Sequence, residues 1–131
     1  MRVLIADDEP LARERLTALL QEIGGTELVA TVGDGREAVA LCEERQADCA
    51  LLDVSMPVMD GLEAARHLSQ LPVPPAVVFC TAYDDHALAA FEASAVDYVV
   101  KPIRRERLAT ALERARRFTG ERFEQVATRL A

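Results

Sequence analysis

Five short apolar runs alternate with stretches whose apolar residues recur at helical spacing, and this alternation leaves the chain very few folds. The runs are Arg2–Ala6, Glu27–Val32, Ala50–Asp53, Ala76–Cys80 and Asp97–Val100. All are short and rich in Val, Ile, Leu and Ala, as buried strands are. Between them, Ala12, Leu16, Leu19, Leu20 and Ile23 predict a helix that Pro10 opens and Gly24-Gly25 stops. Ala38, Val39, Leu41 and Cys42 predict a second helix ending near Arg45, and Leu62, Ala65, Leu68 and Leu71 a third over Gly61–Leu71. An Ala-rich fourth covers Asp84–Ser94. The last long helix starts near Arg104 and carries Leu108, Ala111, Leu112, Ala115 and Phe118. Thr119-Gly120 reads as a break, with one more short helix over Glu121–Leu130. The result is an α/β (βα)5 chain with strands mostly apolar on both faces, which calls for a doubly wound parallel sheet covered by helices on each side.

With 131 residues, half of them apolar and few aromatic, the chain suits one domain with an aliphatic core. No apolar run reaches the roughly 18–20 residues that span a bilayer, and Asp7-Asp8-Glu9 cuts short any secretory h-region. The expected location is cytoplasmic, with no membrane partner. The net charge of −7 argues against the whole domain binding nucleic acid. Its distribution is uneven: residues 1–100 carry six Arg against eighteen acids, whereas residues 101–131 carry nine basic residues against four Glu. The acidic part is expected to hold the site, and the basic helix to face solvent or a partner. Cys42, Cys49 and Cys80 form no C-x-x-C pair and read as structural thiols. His67 and His86 read as ordinary helix residues.

The polar exceptions share one address. Asp7 and Asp8 follow the first strand, Asp53 ends the third, Thr81 the fourth and Lys101 the fifth. In an open parallel sheet the carboxyl ends of the strands are where ligands bind. Three carboxylates on one rim repel one another unless a cation sits among them, and carboxylate oxygens suit Mg²⁺. The absence of His from these loops argues against zinc. Lys101 is the only Lys in a chain whose other basic residues are Arg. Its ammonium suits a point charge on a phosphoryl oxygen better than a guanidinium fork would. Metal and ammonium on equatorial oxygens, with a carboxylate attacking in line, describe phosphoryl transfer. Asp53 is the candidate nucleophile and Asp7 and Asp8 the candidate metal holders. Thr81 is a candidate donor to the phosphoryl group, with small Ala82 leaving room for the approach. Thr81 as a plain helix cap and Tyr98 as a strand-edge aromatic remain alternatives at this point.

Asp7-Asp8-Glu9-Pro10, Asp53-x-x-Met56-Pro57-x-x-Asp60-Gly61, Thr81-Ala82 and Tyr98-x-x-Lys101-Pro102 together resemble the receiver domain of two-component response regulators. The resemblance covers about residues 1–118 and leaves 119–131 as a C-terminal extension, or the start of a linker to an output domain absent from this chain. It implies a flavodoxin-like strand order of 2-1-3-4-5. It also implies that Asp53 takes a phosphoryl group from a histidine kinase's phospho-His or a small phosphodonor. Asp8, Asp53 and the backbone carbonyl of Ser55 would hold Mg²⁺, with Asp7 adjacent or acting through water. Lys101 would contact the phosphoryl group, with a cis bond to Pro102. Thr81 and Tyr98 would act as switch residues, repacking the face made by the fourth helix, fifth strand and fifth helix. Homodimers or an output domain would use that face, with Asp84, Asp85 and Glu92 as partner charges for the basic helix. Ser55 and Tyr83 would tune the phosphoryl lifetime. The chain would be a signalling phospho-acceptor, catalysing only its own phosphorylation and dephosphorylation. Leu11-Ala12-Arg13-Glu14-Arg15-Leu16, Phe79-Cys80-Thr81-Ala82-Tyr83-Asp84 and Ala90-Phe91-Glu92-Ala93 narrow the resemblance to receivers of LytTR-type (AlgR-like) DNA-binding regulators. DNA would then be bound by the output domain, not by this one.

Two rivals fit less well. A metal-dependent phosphohydrolase with an Asp nucleophile usually has a second acid two residues on, where this chain has Ser55. A nucleotide-binding domain needs a Gly-rich turn after the first strand, where Asp7-Asp8-Glu9 would repel a pyrophosphate.

Overall fold

The computed structural model describes residues 1–82, 89 and 95–130, the last eight of these as backbone only. The aliphatic runs form strands β1 (Arg2–Ala6), β2 (Glu27–Val32), β3 (Cys49–Leu52), β4 (Ala76–Thr81) and β5 (Asp97–Val100). The intervening helical patterns form α1 (Pro10–Ile23), α2 (Gly35–Glu44) and α3 (Gly61–Ser69), and the C-terminal segment forms α4 (Arg105–Leu130). All strand pairings are parallel and the order is β2-β1-β3-β4-β5. The (βα)5 reading and its 2-1-3-4-5 order hold. The expected fourth helix over Asp84–Ser94, with Tyr83, His86 and the charges of Asp84, Asp85 and Glu92, lies outside the described residues apart from Ala89.

Successive side chains of a strand point to opposite faces, and the sheet therefore builds two cores. On one face Val3, Ile5, Leu51, Val78 and Val99 meet Leu16, Leu19 and Leu20 of α1 and Leu108, Leu112 and Ala115 of α4. On the other, Leu4, Ala50, Leu52, Val77 and Phe79 meet Ala38 and Cys42 of α2 and Ala64, Ala65 and Leu68 of α3. The central strands β3 and β4 are buried throughout. The expectation of strands apolar on both faces fails at the edges. Most of β2 is half-buried or exposed, and β5 leaves Val100 exposed, because an edge strand has only one neighbour to cover it. The three cysteines are free and buried, as expected. Burial pushes the Cys42 and Cys80 thiols up to about 12, and the Cys49 thiol upward as well.

The break expected at Thr119-Gly120 does not occur: α4 runs through it to Leu130. A helix-interior Gly costs only about 1 kcal/mol relative to Ala, and other bonds offset this. Thr119 Oγ1 donates to the Arg116 carbonyl at 2.9 Å. One turn further, Arg122 donates to the Pro74 carbonyl at 2.7 Å and to Asp48 Oδ1 at 3.2 Å, fastening the helix to the floor of the sheet. In the other direction, α3 stops at Ser69, short of Leu71. The Pro72-Val73-Pro74-Pro75 connector begins there, and residues before proline avoid helical geometry.

Candidate functional site

The strand order reverses between β1 and β3, and the crevice at that point, at the carboxyl ends of the strands, holds the polar residues. Their backbones are fixed before their side chains matter. Asp7 N donates to the Val32 carbonyl at 3.0 Å, Asp53 N to that of Ala6 at 2.9 Å and Lys101 N to that of Thr81 at 2.7 Å. Each site residue thus extends its strand's hydrogen bonding by one step.

The loop from Val54 to Asp60 is shaped by close packing. Gly61 N donates to the Val54 carbonyl at 2.8 Å, and a Cβ on Gly61 would run into the Asp53 backbone carbonyl. Only glycine lets α3 begin this close to the end of β3. Asp60 caps α3 by accepting from Glu63 N at 2.8 Å, and Asp34 caps α2 identically through Glu37 N. Gly35 approaches the Met59 carbonyl just as tightly and donates to it at 3.0 Å. Val58 adopts a φ of +70° between the Pro57 carbonyl and Met59 N, which bond at 2.7 Å. Such a φ is strained for a β-branched residue. Its side chain is 76% exposed on the site rim.

Lys101 Nζ donates to Asp7 Oδ2 at 2.7 Å and lies 3.4 Å from Asp53 Oδ2. Asp7 and Asp53 are 1% and 7% exposed, and the Lys101 side chain is 23% exposed. The ammonium therefore bridges two buried carboxylates. Asp8 is exposed, but it can bring a carboxylate oxygen within 4.8 Å of oxygens from both Asp7 and Asp53. Burial pushes the Asp53 carboxyl above its ordinary range. Lys101 pulls against that shift, the Asp7 charge reinforces it, and the Thr81 hydroxyl favours the charged form. For Lys101, burial favours the neutral form, but the bond to Asp7 and the charge of Asp53 outweigh it and raise the ammonium above its usual value. Asp53 Oδ1 is buried with no hydrogen-bond partner among the described residues. Thr81 sits close enough to influence this carboxylate without bonding to that oxygen.

An orphaned carboxylate oxygen beside two further acids is the donor set a hard divalent cation takes. The residues present fit such an ion.

Five residues expected at the site from sequence meet here: Asp7, Asp8, Asp53, Thr81 and Lys101. Thr81 is fully buried at the end of β4. Ser55 is exposed in the loop after Asp53. The Lys101–Pro102 bond is cis. Tyr98 lies further back on β5, half-buried, its ring 6.2 Å from that of Phe79 and tilted by 49°. His67 is exposed on α3, its Nε2 4.0 Å from Glu63 Oε1. Two features escaped the sequence reading. Val58 is one, since Val is a poor signal of a left-handed backbone. Arg13 is the other: its Nη1 donates to the Asp7 carbonyl at 2.6 Å, and its place on α1, five residues after Asp8, was the only available hint.

Among the described residues no helix is long and apolar enough to cross a membrane. The family model described as "Response regulator receiver domain" matches residues 3–113. The chain is 50% identical over 118 residues to the positive alginate biosynthesis regulatory protein of Pseudomonas aeruginosa, covering 89% of this chain and 48% of that protein. It is 40% identical over 116 residues to the transcriptional regulatory protein LytR of Staphylococcus aureus, covering 88% and 47% respectively. The chain thus spans about half the length of these curated relatives. Among solved structures, the response regulatory domain of protein mrkE from Klebsiella pneumoniae superposes with a TM-score of 0.84 at 32% identity, covering 92% of this chain and 99% of that one. This chain belongs to the response regulator receiver domains, and its relatives include regulators of the LytTR type.

Proposed function

We propose that this receiver accepts a phosphoryl group on Asp53 from the phospho-His of a histidine kinase, or from a small phosphodonor. One observation carries the reading: a single ammonium, Lys101, bridges buried Asp7 and Asp53 while Asp53 Oδ1 has no hydrogen-bond partner among the described residues. In the transfer, an Asp53 carboxylate oxygen forms the new bond to phosphorus as the P–N bond of the phosphoimidazole breaks. The bond's electrons and a proton go to the departing imidazole. Lys101 turns its ammonium from the carboxylates to an equatorial phosphoryl oxygen, and the Thr81 hydroxyl donates to another. Asp8, Asp53 and the Ser55 carbonyl would hold Mg²⁺, with Asp7 adjacent or acting through water. When bound, the ion supplies positive charge that offsets the crowded acids and the phosphoryl oxygens.

Movement of Thr81 toward the phosphoryl group is then read by Tyr98, whose ring packs on Phe79 one strand over. The surface of β5 and α4 changes with it. That surface forms a homodimer, or grips an output domain that binds DNA beyond residues 119–131. No DNA or membrane contact by the receiver itself is needed, and the protein works in the cytoplasm. It is a signalling component whose only chemistry is its own phosphorylation and dephosphorylation.

The deciding experiment is peptide-resolved mass spectrometry after acetyl phosphate treatment, with and without Mg²⁺. The expected result is one Mg²⁺-dependent phosphoryl group on the peptide holding Asp53, lost in Asp53→Asn. Labelling of Asp53→Asn at the wild-type rate overturns the assignment.

A further inference from the structure

Asp8 has the most demanding position in the acid cluster. It is exposed, and its carboxylate has no hydrogen-bond or ion-pair partner among the described residues, unlike its neighbour. Asp7 is held three times over. Its Oδ1 accepts from Glu9 N at 2.9 Å, its Oδ2 from Lys101 Nζ at 2.7 Å, and its backbone carbonyl from Arg13 Nη1 at 2.6 Å. The third bond differs from the other two in its consequence. The Asp7 carbonyl lies in the rigid peptide plane that also contains the Asp8 nitrogen and Cα. A short bond to that oxygen therefore fixes the turn of the peptide from which the Asp8 side chain departs.

Arg13 is built for that contact. It lies in the first turn of α1, its own N–H bonded to the Glu9 carbonyl at 3.2 Å, and its carbonyl accepts from Thr17 Oγ1 at 2.8 Å. Its guanidinium runs beside Gly33, where an added Cβ would sit in ordinary contact 3.6 Å from Nη1. No acid among the described residues lies within ion-pair distance of it. A half-buried guanidinium that binds a carbonyl next to an acid cluster, and pairs with no acid, is poorly explained as a surface charge.

We infer that Arg13 is a positioning residue: by holding the Asp7 carbonyl it sets the direction of the Asp8 carboxylate toward the metal that the acids share. The inference rests on the metal-binding reading given above and deepens it. Residues that orient metal ligands typically change affinity by 10–100-fold when removed.

The test is a titration of the whole chain with Mn²⁺, followed by electron paramagnetic resonance, for wild type, Arg13→Gln, Arg13→Lys and Arg15→Gln. Arg15 lies on the same helix, and its guanidinium donates instead to the Ile103 carbonyl at 3.3 Å, so its loss removes an equal charge nearby. Arg13→Gln is expected to bind Mn²⁺ about tenfold more weakly or worse, Arg13→Lys to recover part of the loss, and Arg15→Gln to match wild type. Without metal, the Asp8 amide resonance should shift and broaden in Arg13→Gln, a local change that a general loss of stability would not confine to that peptide. Folded Arg13→Gln with wild-type affinity, or equal losses in Arg13→Gln and Arg15→Gln, overturns the inference alone. A wild-type chain that binds no Mn²⁺ overturns the metal reading together with it.

Discussion

At the scale of single residues, charge pairing decides which expectations survive. The basic C-terminal helix was expected to face solvent or a partner, yet several of its arginines are already engaged: Arg122 as described above, Arg116 with Glu113, and two more with Asp97. Arg107 donates to both oxygens of Asp97 at 2.7 Å, and Arg114 approaches Oδ2 at 3.0 Å. The Asp97 side chain is only 5% exposed. Burial alone would raise its carboxyl, but Arg107, the Tyr98 amide and Arg114 together hold it below its ordinary value. A carboxyl depressed on folding contributes stability that is fully present above its unfolded value, about 3.9, and is lost as pH falls through the folded value. Asp97→Asn should therefore cost roughly 1.5–3 kcal/mol at neutral pH, and the difference from wild type should shrink below about pH 4. Urea unfolding of both proteins at pH 7 and near pH 3 measures this; a difference independent of pH would count against the pairing. The placement of residues at this scale was legible wherever residue type and strand-end position coincide, as at Asp7, Asp53, Thr81 and Lys101. Arg13 and Val58 were not legible, since one acts through a backbone carbonyl and the other through a backbone angle that its side chain disfavours.

At the scale of elements, periodicity gave most boundaries to within a residue or two, because caps and proline punctuate them. Asp34 and Asp60 each open a helix as N-cap, and Gly24 closes one by donating to the Leu20 carbonyl at 2.9 Å. The failure lies at Thr119-Gly120, where local propensity lost to a distant bond. Asp48 explains the strength of that bond. Its Oδ2 accepts from Arg2 N at 2.8 Å and its carbonyl from Ala76 N at 2.8 Å, so the group that Arg122 grips already ties together the starts of β1 and β4. No sequence window short enough to show helical periodicity contains both Asp48 and Arg122. Gly120 has open space where a Cβ would go and no left-handed φ, so Gly120→Ala should stabilise the helix by about 1 kcal/mol. Hydrogen exchange across residues 119–130 should slow accordingly. Faster exchange, or a lower melting temperature, would mean that the chain needs glycine there to turn.

At the scale of the whole molecule, the fold was legible because strand–helix alternation and buried aliphatic strands admit few topologies. The strand order itself came from the resemblance. The edges β2 and β5 departed from expectation because burial depends on neighbours in space, which composition does not encode. The exposed side of α4 still presents Arg117 to solvent, and Arg104 is exposed just before the helix begins. If that side forms the proposed dimer, beryllofluoride with Mg²⁺ should raise the sedimentation coefficient of wild type, and Arg117→Glu should blunt the rise. An unchanged coefficient in wild type would exclude dimers through this face. One feature of the site ties its signal to folding itself. Asp7, Asp53 and Lys101 are the last rungs of three ladders, β1 on β2, β3 on β1 and β5 on β4, each hung from the strand beside it. A chain that has mispaired a strand, or not yet closed the sheet, lacks those rungs and cannot bring its ammonium to its carboxylates. On the proposed function, the molecule can thus report a stimulus only after it has finished becoming itself, and half-folded copies stay silent.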